Sequence, residues 1–231
     1  MMTQSMCNKI VVFDLDDTLY KEIDFLKSGY KKVSGLVEKR FGLDSQLIYD
    51  HLLSCYFKGE NAFERLNEEY GLDNPIKEYL DIYRFHHPSI VLSEETKNTL
   101  NALKSKGVTL GIISDGREIT QKQKIEALGL DEWIDWDKVL INEDNKYFKP
   151  NHWSFDKMML CCFEHYSGND LKFYYVGDNP KKDFLAPNQL GWETVCLLDD
   201  GKNIHPQDFS MPEEYLPKVQ IGNIKELIYL I

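Results

Sequence analysis

The sequence predicts an α/β fold, a parallel sheet flanked by helices with one all-helical insertion, and three observations carry that prediction. Short apolar runs recur along the 231 residues, at 10–13 (I-V-V-F), 108–113 (V-T-L-G-I-I), 173–176 (F-Y-Y-V) and 194–198 (T-V-C-L-L). Runs without polar alternation suit strands buried on both faces of a parallel sheet. Between most of them lie segments with helical spacing, the pattern of β-α-β units joined by right-handed crossovers. From 23 to 84, by contrast, no strand candidate interrupts the helical spacing.

Taken in order, the first strand runs into D-L-D-D-T at 14–18. Leu26, Tyr30, Val33 and Val37 then recur at helical spacing, with Lys27, Lys31, Lys32 and Lys39 on other faces, and Gly42 closes the helix. Leu47, Ile48, Leu52, Leu53 and Tyr56 predict a second helix; Phe63, Leu66 and Tyr70, closed by Gly71, predict a third. Pro75 opens a fourth carrying Ile76, Tyr79, Leu80 and Tyr83. His86-His87-Pro88 reads as a connection. The expected domains are therefore a helical bundle at 21–87 and an α/β unit made of 1–20 and 88–231.

Ser93 with Glu94 and Glu95 starts a helix that Gly107 ends, since a side-chain cap and acids both favour the N-terminus. The second strand finishes in Ser114-Asp115-Gly116, and a helix over 118–128 stops at Gly129. A weaker third strand at 139–141 is followed by Lys149-Pro150 and a helix over 153–165. The fourth strand leads into G-D-N-P-K-K-D at 177–183, a short helix ends at Gly191, and 194–198 is the fifth strand. Residues 199–217, polar and Pro-rich, read as a surface excursion. Ile224, Leu227, Ile228 and Ile231 predict a final helix over 221–231 docked on the sheet.

Composition narrows the partners. Lys and Arg total 27 against 38 Asp and Glu, a net charge of -11, which argues against a nucleic-acid-binding surface. No stretch approaches the roughly 20 apolar residues of a membrane span, and residues 1–8 lack the charged-then-apolar pattern of a leader. The five cysteines are odd in number and form no C-x-x-C, so reduced thiols and a cytoplasmic location are expected.

In open α/β sheets ligands bind beyond the carboxyl ends of the strands. The clusters after strands one, two and four all fall at that edge: Asp14 and Asp16, then Ser114 with Asp115 and Gly116, then Asp178 and Asp183. Lys149 belongs to the same alternating architecture. Crowded carboxylates repel one another. They are readily tolerated around a hard, oxygen-liganded cation such as Mg²⁺, and no cysteine or histidine has metal-site spacing. The Ser114 hydroxyl, the backbone amides of 114–116 and the Lys149 ammonium suit phosphate oxygens. A carboxylate can serve as nucleophile in phosphoryl transfer, forming an aspartyl-phosphate. The plainer alternative for 14–18 is a solvated acidic turn.

The four clusters together resemble the motifs of the haloacid dehalogenase-like (HAD) superfamily. D-L-D-D-T resembles its D-x-D-x-T first motif, Ser114 of I-I-S-D-G its second, Lys149 of K-P its third and G-D-N-P-K-K-D its fourth. All stand in the family's order, and the helical insertion is similar to its small C1-type cap. The resemblance implies a Rossmann-like parallel sheet, here of five strands, flanked by helices, with an inserted helical cap. It implies that Asp14 attacks phosphorus, and that Asp16 protonates the leaving alcohol and later activates water. It assigns Mg²⁺ to Asp14, the Asp16 backbone carbonyl and Asp178, with Asp183 as ligand or support. Ser114, Asp115 and Lys149 would grip the phosphate, and Thr18 would orient the first loop. Asp17 receives no role.

An acid at position 16 favours a phosphatase over a dehalogenase, because a departing alkoxide needs a proton and a group displaced from carbon by a carboxylate does not. A phosphosugar mutase and a phosphonatase-type hydrolase with a cap lysine stay open as alternatives. A non-catalytic phospho-ligand-binding or protein-interaction module is the alternative of a different class. The expected partner is a small soluble phosphorylated metabolite, a sugar phosphate or nucleotide, with Lys21, Lys58, Gly116 and Arg117 as substrate-contacting candidates.

Overall fold

The structure is a computed structural model that describes residues 8–165 and 171–231. Cys7, expected to be a reduced thiol, and the stretch 1–7 where no leader is expected lie outside the described residues. The chain divides into two compact units, Met1–Glu22 with Val91–Ile231, and Ile23–Ile90.

Strand β1 (Asn8–Phe13) opens the first unit, and α1 (Glu22–Phe41), α2 (Ser45–Phe57), α3 (Ala62–Tyr70) and α4 (Ile76–Phe85) follow. These four helices build the second unit. Their ends follow from local chemistry: Asp44 accepts from the Leu47 amide at the start of α2, and Asn61 caps α3. Gly42 and Gly71 take the left-handed conformation just beyond their helices, with φ of 71° and 60°. Inside the unit Tyr30 packs edge-on against Phe63, and Phe63 lies tilted against Tyr79. His86, at the end of α4, is buried and bonds the Ser28 hydroxyl at 3.0 Å, so it serves the bundle's own packing.

The first unit resumes with α5 (Glu94–Ser105), whose Ser93 cap accepts from the Thr96 amide. Then come β2 (Thr109–Asp115), α6 (Glu118–Ala127), β3 (Val139–Asn142), α7 (Trp153–His165), β4 (Leu171–Gly177), α8 (Leu185–Gln189), β5 (Glu193–Leu197), β6 (Val219–Ile221) and α9 (Leu227–Leu230). The strands form one parallel sheet in the order β3-β2-β1-β4-β5-β6. It has six strands rather than the expected five. The additional strand, β6, pairs Val219–Ile221 with Val195, Cys196 and Leu197 at the sheet edge. Ile221 consequently ends a strand, and the terminal helical turns begin only at Ile224.

One face of the sheet carries Ile10, Val12, Ile113 and Tyr175 against Phe155, Met158 and Trp192. From β1 the chain builds outward to β2 and β3 on one side, then returns to β4, β5 and β6 on the other. The reversal falls at β1, so the carboxyl ends of β1, β2 and β4 lie side by side, where an open sheet of this kind has its crevice.

The two glycines inside α1 make a matched test of packing. A Cβ on Gly29 would lie 2.5 Å from Tyr83 Cδ2, whereas one on Gly35 would meet nothing within 4 Å. Gly35→Ala is expected to stabilise by about 0.5–1 kcal/mol through helix propensity. Gly29→Ala is expected to destabilise by about 1–3 kcal/mol through overpacking. Thermal unfolding of the two variants checks both signs.

Candidate active site

The residue at the centre of the crevice is Lys149, which the chain after β3 delivers into the sheet edge. Its ammonium, on a fully buried side chain, donates to Asp14 Oδ1 at 2.8 Å, to Asp183 Oδ1 at 2.9 Å and to the Tyr175 hydroxyl at 2.8 Å. Burial lowers the ammonium's proton affinity, but the two carboxylates outweigh it and hold Lys149 charged well above the ordinary lysine range. Its backbone amide is held in turn by the Asp115 carboxylate, at 3.2 Å and 3.3 Å from the two oxygens. Asp115 thus supports Lys149 with its side chain.

Asp14 follows β1 directly, and its amide donates to Val176 O in β4. Burial raises its pKa, against Lys149 and Lys182. One of its oxygens takes the Lys149 proton donor. The other, Oδ2, is buried without a hydrogen bond among the described residues, and Lys182 Nζ lies 3.8 Å from it. Asp178 ends the β4 turn and is pushed up to about 8 by burial, then by Asp183 and Asp14. Asp183 uses Oδ1 on Lys149 and Oδ2 on the amides of Asp178 and Asn179, so it ties the fourth-motif loop to the lysine. Burial raises its pKa, but Lys149 and Lys182 more than offset this and hold it below the usual carboxylate range. The approach is close: a Cβ on Gly177 would come within 2.6 Å of Asp183 Oδ2, so only glycine fits there.

Asp14, Asp178 and Asp183 each offer a carboxylate oxygen within 4.8 Å of the others, and all three are buried. The unbonded Asp14 Oδ2 and the strained ionisation of Asp178 are what an oxygen-liganded divalent cation would relieve, and the donors are all hard. These residues fit such an ion. The Asp16 carboxylate is not among them.

Asp16 instead accepts from Lys124 Nζ at 2.8 Å, from Gln121 Nε2 at 2.9 Å and from the Tyr20 hydroxyl. Burial raises its pKa, and these three donors, Lys124 foremost, bring it below the ordinary range. The same Gln121 Nε2 donates to Ser114 Oγ at 2.6 Å, which leaves the serine's own O–H to donate elsewhere. Asp17 sits at φ 55° with its carboxylate accepting from the amides of Glu22 and Ile204, both at 2.9 Å. Those two bonds explain why an aspartate is held in the left-handed region.

Asp14, Asp178, Asp183, Ser114 and Lys149 are thus brought to one edge, with Asp16 beside Ser114. Other candidates are placed differently. The Gly116 amide, expected to face an anion, is spent on Asn142 O at 2.9 Å. Lys21 bonds Asn203 Oδ1 at 2.8 Å and pairs with Asp200 at 3.0 Å. Arg117 is exposed at the start of α6, and Lys58 is exposed at the end of α2 in the helical unit. The Thr18 hydroxyl, expected to orient the first loop, is buried with no hydrogen bond among the described residues.

Sequence reasoning missed Gln121, Lys124, Lys182, Tyr175 and Asn203. A signal existed for the first two. Gln121, Lys124, Ile125 and Leu128 stand at i, i+3, i+4 and i+7, a buried stripe on which a lysine and a glutamine must find partners.

Comparison with known proteins agrees with this arrangement. Residues 11–197 match the haloacid dehalogenase-like hydrolase family. The chain belongs to that family. It is 28% identical to a glyceraldehyde 3-phosphate phosphatase of Methanocaldococcus jannaschii over 96% of both chains. It is 30% identical to the protein of the same name from Methanothermobacter thermautotrophicus, over 82% of this chain and 85% of that one. The crystal structure of a HAD phosphatase from Thermococcus onnurineus superposes with a TM-score of 0.58 at 20% identity, covering 96% of this chain and 97% of the other.

The raised Asp178 gives a pH prediction for the metal-free protein. A carboxyl whose folded pKa lies near 8, far above its unfolded value, binds its proton more tightly when folded. Stability is then greatest below the unfolded pKa and falls as pH rises through the folded one. Glu22, pushed up to about 7 by burial and then Asp16, acts in the same direction. The melting temperature in EDTA is expected to fall between about pH 5 and 8, and Asp178→Asn to flatten that slope.

Proposed function

We propose that this hydrolase is a Mg²⁺-dependent phosphatase of a small phosphorylated metabolite, a sugar phosphate of the glyceraldehyde 3-phosphate type, working through an aspartyl-phosphate on Asp14. One observation carries the reading: Asp14 has one oxygen fixed by a buried lysine and the other unbonded at the carboxyl edge, beside Asp178 and Ser114. The names of the two archaeal relatives support the substrate class. We further assign the helical unit, Ile23–Ile90, the cap's task of selecting the leaving group.

In this reading the Lys149 ion pair keeps Asp14 ionised as a nucleophile despite its burial, and holds the carboxylate in one rotamer. Ser114 donates its hydroxyl proton to a phosphate oxygen, its lone pair being engaged by Gln121. Lys182 adds a second ammonium on the open side of Asp14. Asp14, the Asp16 carbonyl and Asp178 would hold the metal ion, with Asp183 supporting Asp178; when bound, the ion supplies charge neutralisation for the phosphoryl oxygens. Asp16 gives its proton to the departing alkoxide and takes one from the water that hydrolyses the aspartyl-phosphate. Hydrolysis thereby returns Asp14 to a free carboxylate and releases inorganic phosphate.

Two measurements test this. Asp14→Asn is expected to lower p-nitrophenyl phosphate turnover by roughly a thousandfold or more, as removal of a nucleophile does, and EDTA to abolish wild-type activity. Equal turnover by the two proteins, or full activity in EDTA, refutes the mechanism. Asp16→Asn is expected to cost on the order of 10²–10⁴-fold on glyceraldehyde 3-phosphate, whose alkoxide needs a proton, and much less on the aryl ester. Matching losses on both substrates would remove Asp16 from the acid role.

A further inference from the structure

We infer that the turn following β5 is a strap that aims Asp178, with Asn203 as the positioning residue. This rests on the reading of Asp178 as a metal ligand. Residues 199–207 had no assigned function, and a polar turn there would ordinarily be a solvated connection. The hydrogen bonds say otherwise.

Asn203 Nδ2 donates to Asp178 Oδ2 at 3.0 Å, and Asn203 Oδ1 accepts from Lys21 Nζ at 2.8 Å. Its backbone amide donates to Asp199 Oδ1 at 3.0 Å, alongside the amides of Gly201 and Lys202. One residue further, the Ile204 amide donates to Asp17 Oδ2 at 2.9 Å. Gln207 Nε2 donates to the Asp178 carbonyl at 2.6 Å and to Leu197 O at 2.8 Å, and its Oε1 accepts from the Asp199 amide at 3.0 Å. The turn therefore grips Asp178 twice, at the side chain through Asn203 and at the backbone through Gln207. It is anchored at the far end to the first-motif loop through Asp17 and Lys21.

The chemistry of each position fits the task. An amide at 203 can present nitrogen to a carboxylate and oxygen to an ammonium at once, so both partners fix its orientation. An aspartate there would set a second carboxylate against Asp178 and lose the donor. Asp178 is held by one oxygen, so its carboxylate rotates little before the ion arrives. Supporting hydrogen bonds of this kind, oriented on a ligand from outside the coordination shell, commonly govern metal affinity. The strap also accounts for the two acids that the reaction leaves idle: Asp17 and Asp200 anchor the turn, Asp200 through Lys21.

The test is direct Mn²⁺ binding to the full chain, followed by electron paramagnetic resonance, for wild type, Asn203→Ala, Lys21→Met and Asp178→Asn. Asn203→Ala is expected to weaken Mn²⁺ binding by about 10–100-fold, with the melting temperature in EDTA unchanged. Lys21→Met, which removes the hold on Asn203 Oδ1 and the Asp200 ion pair but leaves Asn203 Nδ2 on Asp178, should weaken it less, in the same direction, and carries the test should Asn203→Ala fail to fold. Wild-type Mn²⁺ affinity in the strap variants, with binding lost in Asp178→Asn, overturns the strap. Wild-type affinity in Asp178→Asn overturns the metal reading beneath it instead.

Discussion

A buried ammonium costs several kcal/mol to desolvate unless carboxylates and hydroxyls replace its water, and Lys149 meets that demand with Asp14, Asp183 and Tyr175. Those partners come from the end of β1, the loop after β4 and β4 itself. Satisfying one lysine therefore draws three parts of the chain to a common point. The same contacts choose a rotamer for Asp14, leaving Oδ2 without a hydrogen bond and Oδ1 committed. They also fix Asp183, which then closes the Gly177 turn by accepting the amides of Asp178 and Asn179. Removing Lys149 would leave two carboxylates without their ammonium in the core of the site, a far larger loss than the ion pairs' net contribution to folding.

The acids at this edge outnumber the buried ammonium groups. Lys149 neutralises Asp14 and Asp183, Lys124 neutralises Asp16, and Lys182 spreads its charge over Asp14, Asp178 and Asp183. Asp178 is left with the least compensation, and its ionisation is correspondingly held off to about 8. The excess of acid is localised on the side where Asp14 Oδ2 lies unbonded. A scaffold that concentrates its uncompensated charge in one place stores affinity for a cation there.

Much of this was legible in the sequence, and the boundary of legibility has a physical origin. Strands buried on both faces announce themselves as unbroken apolar runs, as in 10–13, and glycines announce helix ends, as at Gly42 and Gly71. Val219–Ile221 escaped because an edge strand of three residues, two of them exposed, has neither length nor pattern. The residues of the four motifs could be named because they follow strand-like runs or, for Lys149, precede a helix, in the order of the family they resemble. Lys124 and Gln121 could not be assigned so easily, since a lysine on a helix reads as solvated until its partner is known. Asn203 has no local signature at all. Its function is created by two contacts, one 25 residues away and one 182, that exist only after the sheet has formed.

The two proposed proton and phosphoryl carriers, Asp14 and Asp16, stand two residues apart in opposite environments, the arrangement by which neighbouring carboxylates acquire different tasks. Burial, only partly offset by Lys149 and Lys182, raises Asp14, so its charge depends on those two lysines. Asp16, only half-buried, is held low because Lys124, Tyr20 and Gln121 all donate to it. In this resting arrangement Asp16 is a ready base, suited to drawing a proton from water. Its acid half requires the opposite state. The negative charge that a leaving alkoxide develops beside Asp16 would favour a shared proton over the Lys124 pair. Lys124 would then act as a counterweight, stabilising the ionised Asp16 that remains once its proton has left with the alcohol.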